Sequence, residues 1–411
     1  MKEFFKVTDL DDALALRYSF NRMGKETIPV QAATGRVLAE DIVADVNLPD
    51  FPRAIMDGFA IRAASTFGAS DGNPAYINVP RTVAMGEIPS FSIGPGEAAK
   101  ISTGGMLPKG ADSVVMVEHT DAIDETTIEV YKSVAPGQNM VAVGEDIQKD
   151  QTVLSCGQRL RPQETGLLAA FGRQSILVFK QPVIGILSTG DEIVPVDTVP
   201  SIGKIRDINS YTLAGQVLQT GGIPLHLGIV KDDYDNLLEM CQKGLDQTDM
   251  LLVSGGSSVG VRDYTVEVLS AIPDADLLLH GISISPGKPT ILARAGNKAF
   301  WGLPGHVVSA MVVFHAVVQP FIDHVSGLEP ALHRRYALPA TLSRSVASSL
   351  GRVDYVRVKL VGENDTYTAE PILGKSGLIN TMLRADGLVK IDKNTEGLDA
   401  GAQVNVLLFM S

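Results

Sequence analysis

Three apolar runs within residues 182–310 constrain the fold of this 411-residue chain more than any other feature. Each run ends in a turn that combines glycine with hydroxyl or carboxylate side chains, and helix-period segments separate the first two. Strands that alternate with helices predict right-handed crossovers and a parallel sheet, so these turns should gather at one edge of the sheet. The runs are VIGILSTGDE (183–192), MLLVSGGSS (250–258) and AFWGLPGHVVSA (299–310).

The carboxyl edge of an open α/β sheet is where such folds bind ligands. Glycine lets the backbone approach a ligand closely, and the unpaired N–H groups that begin each following helix attract negative charge. We therefore expect a cleft at this edge that takes an anionic small molecule.

Composition and charge argue against nucleic-acid binding, export, membrane insertion and a structural zinc site. The formal net charge of -12 argues against nucleic acid, because no long Lys/Arg stripe offsets it. Asp9, Asp11 and Asp12 interrupt the N-terminal stretch, so we expect no export signal. The apolar segment 307–322 contains polar residues and a proline, which favours a core helix over a membrane span. Two cysteines and scattered histidines indicate a cytoplasmic protein without structural zinc.

Shifts in composition predict a multidomain α/β plus β protein. Prolines, glycines and short alternating runs indicate a β-rich module inserted into a first domain, in which Thr8 should cap the first helix. The predicted domains are an N-terminal mixed α/β domain (1–45 and 147–177), the inserted module (46–146), a central parallel-sheet α/β domain (178–328) and a C-terminal β-barrel-like domain (329–411).

Acidic and hydroxyl residues follow the first two apolar runs. Asp191 and Glu192 come directly after a predicted strand, where ligand contact and ordinary turn chemistry are equally good interpretations. The second turn adds paired glycines, several hydroxyls and Asp263, whose alternative role is to cap a helix. Two such turns on neighbouring strand ends favour a ligand site. Together with Asp232, these carboxylates provide the oxygen ligands that Mg²⁺ prefers.

Other candidates stand near the same edge. Lys288 lies in PGKP, where two prolines restrict the backbone and favour a pre-organised phosphate contact. Gly305 precedes a predicted helix whose first amides are unpaired, although a plain helix start is the alternative. Acids and amides at helix starts are usually caps. Asp207, Asn209 and Ser210 are candidates for ligand contact only because they lie at the same edge of the sheet.

Eight motifs taken in order resemble the molybdopterin molybdotransferase family, the MoeA-type proteins to which the C-terminal part of gephyrin belongs. The resemblance implies an enzyme that removes AMP from adenylyl-molybdopterin and inserts molybdate into the dithiolene with the help of a divalent cation, here expected to be Mg²⁺. It also implies a homodimer of four-domain subunits with a site shared between the α/β domain and the partner's β module, and it makes an adenylyltransferase a candidate partner. The motifs are MDGFA, STGG, GEDI, STGDE, DINSYTL, SGGSSVGVRDYT, PGKP and GLPGHVVSA.

The resemblance and the residue patterns together define the expected site. The expected catalytic residues are Glu192, Asp263, Lys288, Asp57 and Thr103. The expected metal ligands are Glu192, Asp232, Asp263 and Asp146. The expected cofactor-binding residues are Ser188, Thr189, Gly190, Asp207, Asn209, Ser210, Ser254, Gly255, Gly256, Ser257, Pro304, Gly305, His306 and Ser376.

Two positions depart from the family pattern. Ser285 stands where a lysine commonly precedes PGKP, and His306 with Val307 replaces the common Asn-Pro. Losing a charged hydrogen bond weakens the hold on an anion by about 1.5 to 3 kcal/mol, which a histidine partly restores. Tungstate is therefore an alternative to molybdate. The rival functions are molybdopterin adenylylation, whose enzymes lack the flanking β domains, and a non-catalytic scaffold.

Overall fold

A computed structural model describes residues 7–255, 264–332, 336–363 and 366–409. The chain forms two compact units. The first contains the described parts of residues 1–40, 156–166 and 173–411, and the second contains residues 41–155 and 167–172.

A six-stranded sheet forms the centre of the first unit. Its strands are β1 (Val183–Thr189), β2 (Ile223–Val230), β3 (Met250–Ser254), β4 (Ala275–His280), β5 (Ile291–Ala295) and β6 (Lys298–Leu303). Their order is β2-β1-β3-β6-β5-β4. The four neighbouring strands β2, β1, β3 and β6 are parallel, as predicted, and β5 and β4 add antiparallel pairs, so the sheet is mixed. β5 is antiparallel to β6 because the short turn at Gly296 returns the chain directly from one strand to the other.

Helices cover both faces of this sheet. They are α1 (Asn209–Thr220), α2 (Tyr234–Gln247), α3 (Tyr264–Ala271) and α4 (Val307–Val313). Side chains alternate along each strand, so Trp301 packs in the core that includes α1 and α4, while its neighbour Phe300 packs with α2 and α3. Both rings are fully buried, which contributes about 1.5 to 3 kcal/mol each.

The long apolar helical segment is a core element. It continues from α4 through a π-helix (Phe314–Val318) to a helix at Gln319–Val325. Residues 307–325 are long and apolar enough to cross a membrane, but 72% of the most apolar window is buried within the fold. This placement agrees with the predicted core helix.

The C-terminal strands close into a barrel. Val353–Glu363, Thr366–Pro371, Ala337–Leu342, Gln403–Leu408 and Gly387–Ile391 pair successively, and the last returns to the first. This closure confirms the expected barrel. The strand Ile284–Ser285 adds to its edge in parallel with Val353 and Asp354. The remaining elements of this region are a strand pair, Val346–Ala347 with Gly397–Leu398, the 3-10 helix Pro330–Leu332 and the helix Asn380–Leu383.

The N-terminal part of the first unit begins with the helix Leu10–Ala15. Asp9, and not the expected Thr8, caps it by accepting the Asp11 N–H, because Thr8 is held in a bridge to Ile282. The other elements are the 3-10 helices Leu16–Ser19 and Val30–Ala32 and the antiparallel strands Lys25–Pro29 and Ser175–Phe179. The helix Pro162–Ala170 begins in the first unit and ends in the second. The short parallel pair Ile193–Val194 and Ile205–Arg206 lies in the chain between β1 and α1.

The second unit is β-rich, as its prolines and glycines predict. Its main sheet runs in the order Ser113–Met116, Gly58–Ile61, Glu97–Ile101, Ala75–Thr82, Thr127–Val130 and Thr120–Ala122. Smaller pairs are Ile42–Val43 with Thr152–Leu154 and Arg53–Ala54 with Met140–Val141, and two 3-10 helices lie at Ala63–Thr66 and Val117–His119. The four-domain boundaries remain a prediction.

Candidate active site

A cleft of about 1030 Å³ lies where β1, β3 and β6 end, and residues of the C-terminal barrel line its other side. Both sides belong to the first unit. The predicted residues that line this cleft are Ser188, Thr189, Gly190, Glu192, Asp207, Asn209, Asp232, Ser254, Gly255, Lys288, Pro304, Gly305, His306 and Ser376.

The side chain of Asn209 ties the turns of this cleft together. From the start of α1, its Nδ2 donates to the hydroxyl of Ser254 at 2.6 Å and to the carbonyl of Gly305 at 2.8 Å. Ser254 is the last residue of β3, and Gly305 lies in the turn after β6. Asn209 therefore fixes the spacing of two turns that come from different parts of the chain.

Two glycines allow close contacts that a side chain would prevent. Gly255 has φ +107°, and a Cβ there would lie 2.4 Å from the Thr189 carbonyl oxygen. Gly190 has φ +147°, and a Cβ there would meet a carboxylate oxygen of Glu192 at 2.7 Å. Gly255 lets the turn after β3 pack against the end of β1, whereas the Glu192 carboxylate near Gly190 is the end of a flexible side chain and could move aside.

The floor of the cleft contains polar groups that no described residue satisfies. The hydroxyls of Ser188 and Thr189 are buried and have no hydrogen-bond partner in the described part of the chain. Buried polar groups usually have partners, and unsatisfied ones at the base of a cleft suit a polar ligand.

Lys288 presents a positive charge on a fixed backbone. Its carbonyl accepts the N–H groups of Ile282 at 3.0 Å and Thr290 at 2.9 Å. Its ammonium group forms no ion pair with any of the residues that the structure describes. The cation is therefore available to a ligand, and two hydrogen bonds hold the main chain of Lys288 in place.

His306 and Ser376 join the central domain to the barrel. The Nδ1 atom of His306 lies 2.9 Å from the Ser376 hydroxyl, and the N–H of Val308 donates to the Ser376 carbonyl at 3.1 Å. The segment GKSG thus reaches the cleft from the C-terminal domain.

Carboxylates stand along one side of the cleft. Asp191 accepts the N–H of Asp232 at 3.4 Å, which brings the turns after β1 and β2 together. Glu192 and Asp232 both line the cleft. Within the described ranges, no three His, Cys, Asp or Glu side chains converge as metal ligands. Mg²⁺ is commonly held by one or two carboxylates with phosphate and water, so Glu192 and Asp232 stay candidates for such a site.

Several predicted residues have other positions or simpler roles. Asp207 accepts the N–H of Ser210 at 3.1 Å, a capping interaction, and Ser210 is buried and does not line the cleft. Gly256, Ser257 and Asp263 lie outside the described residues.

Three predicted residues belong to the second unit. Asp57 accepts hydrogen bonds from the Thr103 N–H at 2.7 Å and from the Thr103 hydroxyl at 3.1 Å, so this predicted pair is in direct contact. The N–H of Asp146 donates to Leu48. Their association with the cleft remains a prediction.

Sequence reasoning did not identify Arg352, which also lines the cleft. Its Nε lies 3.1 Å from a carboxylate oxygen of Asp354. The pairing of Ile284–Ser285 with Val353 and Asp354 brings this arginine beside the segment that precedes PGKP. The only available signal was an arginine at the start of a predicted strand, which is too common to indicate a site.

The fold and the cleft define an α/β protein with a small-molecule site at the carboxyl edge of its sheet. The chain matches the family models for the MoeA N-terminal region (domain I and II) at residues 8–172, a probable molybdopterin binding domain at 185–324 and the MoeA C-terminal region (domain IV) at 339–409. The chain belongs to the MoeA family.

Full-length relatives support this assignment. A molybdopterin biosynthesis protein of Methanocaldococcus jannaschii is 38% identical over 94% of this chain and 93% of its own length. The molybdopterin molybdenumtransferase of Bacillus subtilis is an enzyme that is 32% identical over 97% of this chain and 93% of its own length. A crystal structure of a molybdopterin biosynthesis MoeA protein from Pyrococcus horikoshii is 36% identical, with a TM-score of 0.79, and covers 99% of this chain and 100% of that one.

Proposed function

We propose that this protein is a cytoplasmic molybdopterin molybdenumtransferase that removes AMP from adenylyl-molybdopterin and inserts molybdate or tungstate into the dithiolene. The observation that carries the proposal is the convergence of Glu192, Asp232, Lys288 and Ser376 on one cleft of about 1030 Å³. This volume reaches the upper end of small-molecule sites and suits a ligand that joins a pterin to a nucleotide.

Chain groups in the cleft have separate roles in AMP removal. In this step an oxygen nucleophile forms a bond to one phosphorus of the pyrophosphate, the bond from that phosphorus to the bridging oxygen breaks, and AMP leaves. Lys288 offsets the charge that accumulates on the phosphate oxygens, and the turns after β1, β3 and β6 position the phosphates. Glu192 and Asp232 would hold Mg²⁺, which when bound neutralises further pyrophosphate charge.

Ser285 and His306 bear on the choice of oxyanion. The cleft lacks the lysine common before PGKP, and the basic side chains that line it are Arg206, Lys288, His306 and Arg352. Either molybdate or tungstate is compatible with this set, so both belong in the assay.

The decisive experiment compares Lys288→Ala with the wild-type protein. AMP release from adenylyl-molybdopterin and metal insertion are measured with molybdate and tungstate in parallel. Loss of a charged hydrogen bond should slow AMP release by about tenfold or more. Lys243→Ala, which changes an exposed lysine of α2, is the matched control. Unchanged AMP release in Lys288→Ala contradicts the mechanism, and retention of ligand without any AMP release in the wild type favours the scaffold alternative.

We further propose that the active form is a homodimer in which Asp57, Thr103 and Asp146 of a second copy complete each site. The close pairing of Asp57 with Thr103 supports a shared role for these two residues. A mixture of Asp57→Ala and Lys288→Ala proteins tests this, because each mixed dimer would contain one intact site. Random mixing should restore about a quarter of the wild-type AMP release. If subunit exchange is demonstrated and AMP release still does not recover, the shared site is contradicted.

A further inference from the structure

The loop that carries Ser376 into the cleft is closed at its neck by one buried arginine. Arg357 lies on the barrel strand Val353–Glu363 and is 8% exposed. Its Nη1 donates to the Thr381 hydroxyl at 2.9 Å, and its Nη2 donates to the Gly374 carbonyl at 2.9 Å. Gly374 precedes Ser376 and Thr381 follows it, so one rigid guanidinium holds both ends of this loop.

Barrel stability alone does not account for this arginine. Within the described ranges Arg357 has no carboxylate partner, and its Nε has no hydrogen-bond partner. Burial lowers its pKa, which reflects the cost of removing the charge from water. A well-packed apolar side chain at a buried position is often at least as stable as a buried charge. An apolar residue at position 357 could not donate the two hydrogen bonds that hold the ends of the loop.

Ser376, which lies between the two ends of this loop, meets the cleft. The Ser376 carbonyl accepts the Val308 N–H, and the Ser376 hydroxyl lies 2.9 Å from Nδ1 of His306. The neck itself is tight, since a Cβ at Gly374 would come within 2.9 Å of the Thr381 methyl group. We expect a shift at the neck to move the Ser376 hydroxyl relative to His306.

We propose that Arg357 is a positioning residue that sets the Ser376 hydroxyl against the oxyanion ligand. Arg357 does not line the cleft and acts only through the loop. The inference rests on the proposed function for the identity of the ligand, while the mechanical link from Arg357 to Ser376 is a property of the chain itself.

Hydrogen exchange measured by mass spectrometry tests the mechanical link without substrate. Arg357→Met removes both donors, and Thr381→Val removes one acceptor at nearly constant volume. Exchange in residues 374–381 and at the Val308 amide should rise about tenfold in Arg357→Met and less in Thr381→Val. Val358→Ala, at a fully buried neighbour whose side chain packs in the barrel core, is the control for general loosening. Unchanged exchange at these sites in both folded variants, or an equal rise in Val358→Ala, overturns the proposal.

A double-mutant cycle tests the link to the ligand. Ser376→Ala and Arg357→Met should each raise the KM for molybdate about tenfold. The KM of the double variant should be no higher than that of the single variant with the higher KM. Arg357→Lys keeps the charge but not the two-point fork, so it should recover only part of the loss. Independent, multiplying effects overturn the positioning role. If the wild type inserts no oxyanion at all, the proposed function fails, while the exchange result still decides whether Arg357 holds the loop.

Discussion

The side-chain amide of Asn209 donates to the hydroxyl of Ser254 at 2.6 Å and joins the start of α1 to the end of β3. The same nitrogen reaches the Gly305 carbonyl in the turn after β6. Three segments separated in sequence thus share one donor group, and the cleft depends on this group for its shape.

Asn209→Ala should damage the site more than the fold. Two neutral hydrogen bonds are lost, which costs about 1 to 3 kcal/mol in the free energy of unfolding. AMP release should fall by a larger factor, roughly 100-fold, because misplaced turns lose several ligand contacts together. Urea unfolding and AMP release are measured on the same preparation. The control is Asn236→Ala on the exposed side of α2, and equal loss of activity in both variants contradicts the role of Asn209.

Gly255→Ala should be far more damaging than Gly203→Ala. Both glycines have positive φ, so both alanines pay the left-handed penalty of about 1 to 2 kcal/mol. Only at Gly255 does a Cβ collide with the Thr189 carbonyl, at 2.4 Å, whereas no described atom lies within 4 Å of a Cβ at Gly203. The collision should add about 1 to 3 kcal/mol. Chemical denaturation of both variants measures the difference, and equal stability of the two contradicts the close contact.

The local patterns of the sequence predict the edge of the sheet well. Buried runs that end in glycine turns specify β1, β3 and β6, and α1 begins just after the acid Asp207, which accepts the N–H of Ser210. These features are local, because strand burial and caps depend on residues close together in the chain.

Features that depend on distant pairing were not predicted. Arg352 reaches the cleft only because its strand pairs with Ile284–Ser285, and this register has no local signal. The antiparallel strands β4 and β5 extend the sheet for the same reason, since no local signal sets their direction of pairing. Thr8 is a good cap by composition, but its bridge to Ile282 leaves that role to Asp9.

Stability should fall as the pH drops from about 7.5 to 5.5, in part through His324. Burial lowers the pKa of His324 from its ordinary 6.5, and its Nε2 lies 3.0 Å from the Phe20 carbonyl. With a lower pKa in the folded state, the unfolded chain takes up the proton first. Stability is therefore complete above the unfolded pKa and is lost as the pH falls through the folded one.

His324→Gln tests this contribution, because glutamine retains a donor for the Phe20 carbonyl and does not titrate. Unfolding free energies of this variant should decline less steeply with falling pH than those of the wild type. The slope is reduced and not abolished, since burial also lowers the pKa of His280. Identical slopes for the two proteins would show that His324 does not contribute.

His306→Asn should preserve the contact with Ser376, whereas His306→Ala should lose it. An asparagine amide places a polar atom near the position of Nδ1, which lies 2.9 Å from the Ser376 hydroxyl. The family's common asparagine is therefore compatible with the same geometry. AMP release by His306→Asn should stay within a few-fold of wild type, and His306→Ala should lose about tenfold, as expected for one hydrogen bond worth about 1.4 kcal/mol. Steady-state kinetics of both variants decide between a hydrogen-bonding role for His306 and simple space filling, which predicts that alanine and asparagine impair the enzyme equally.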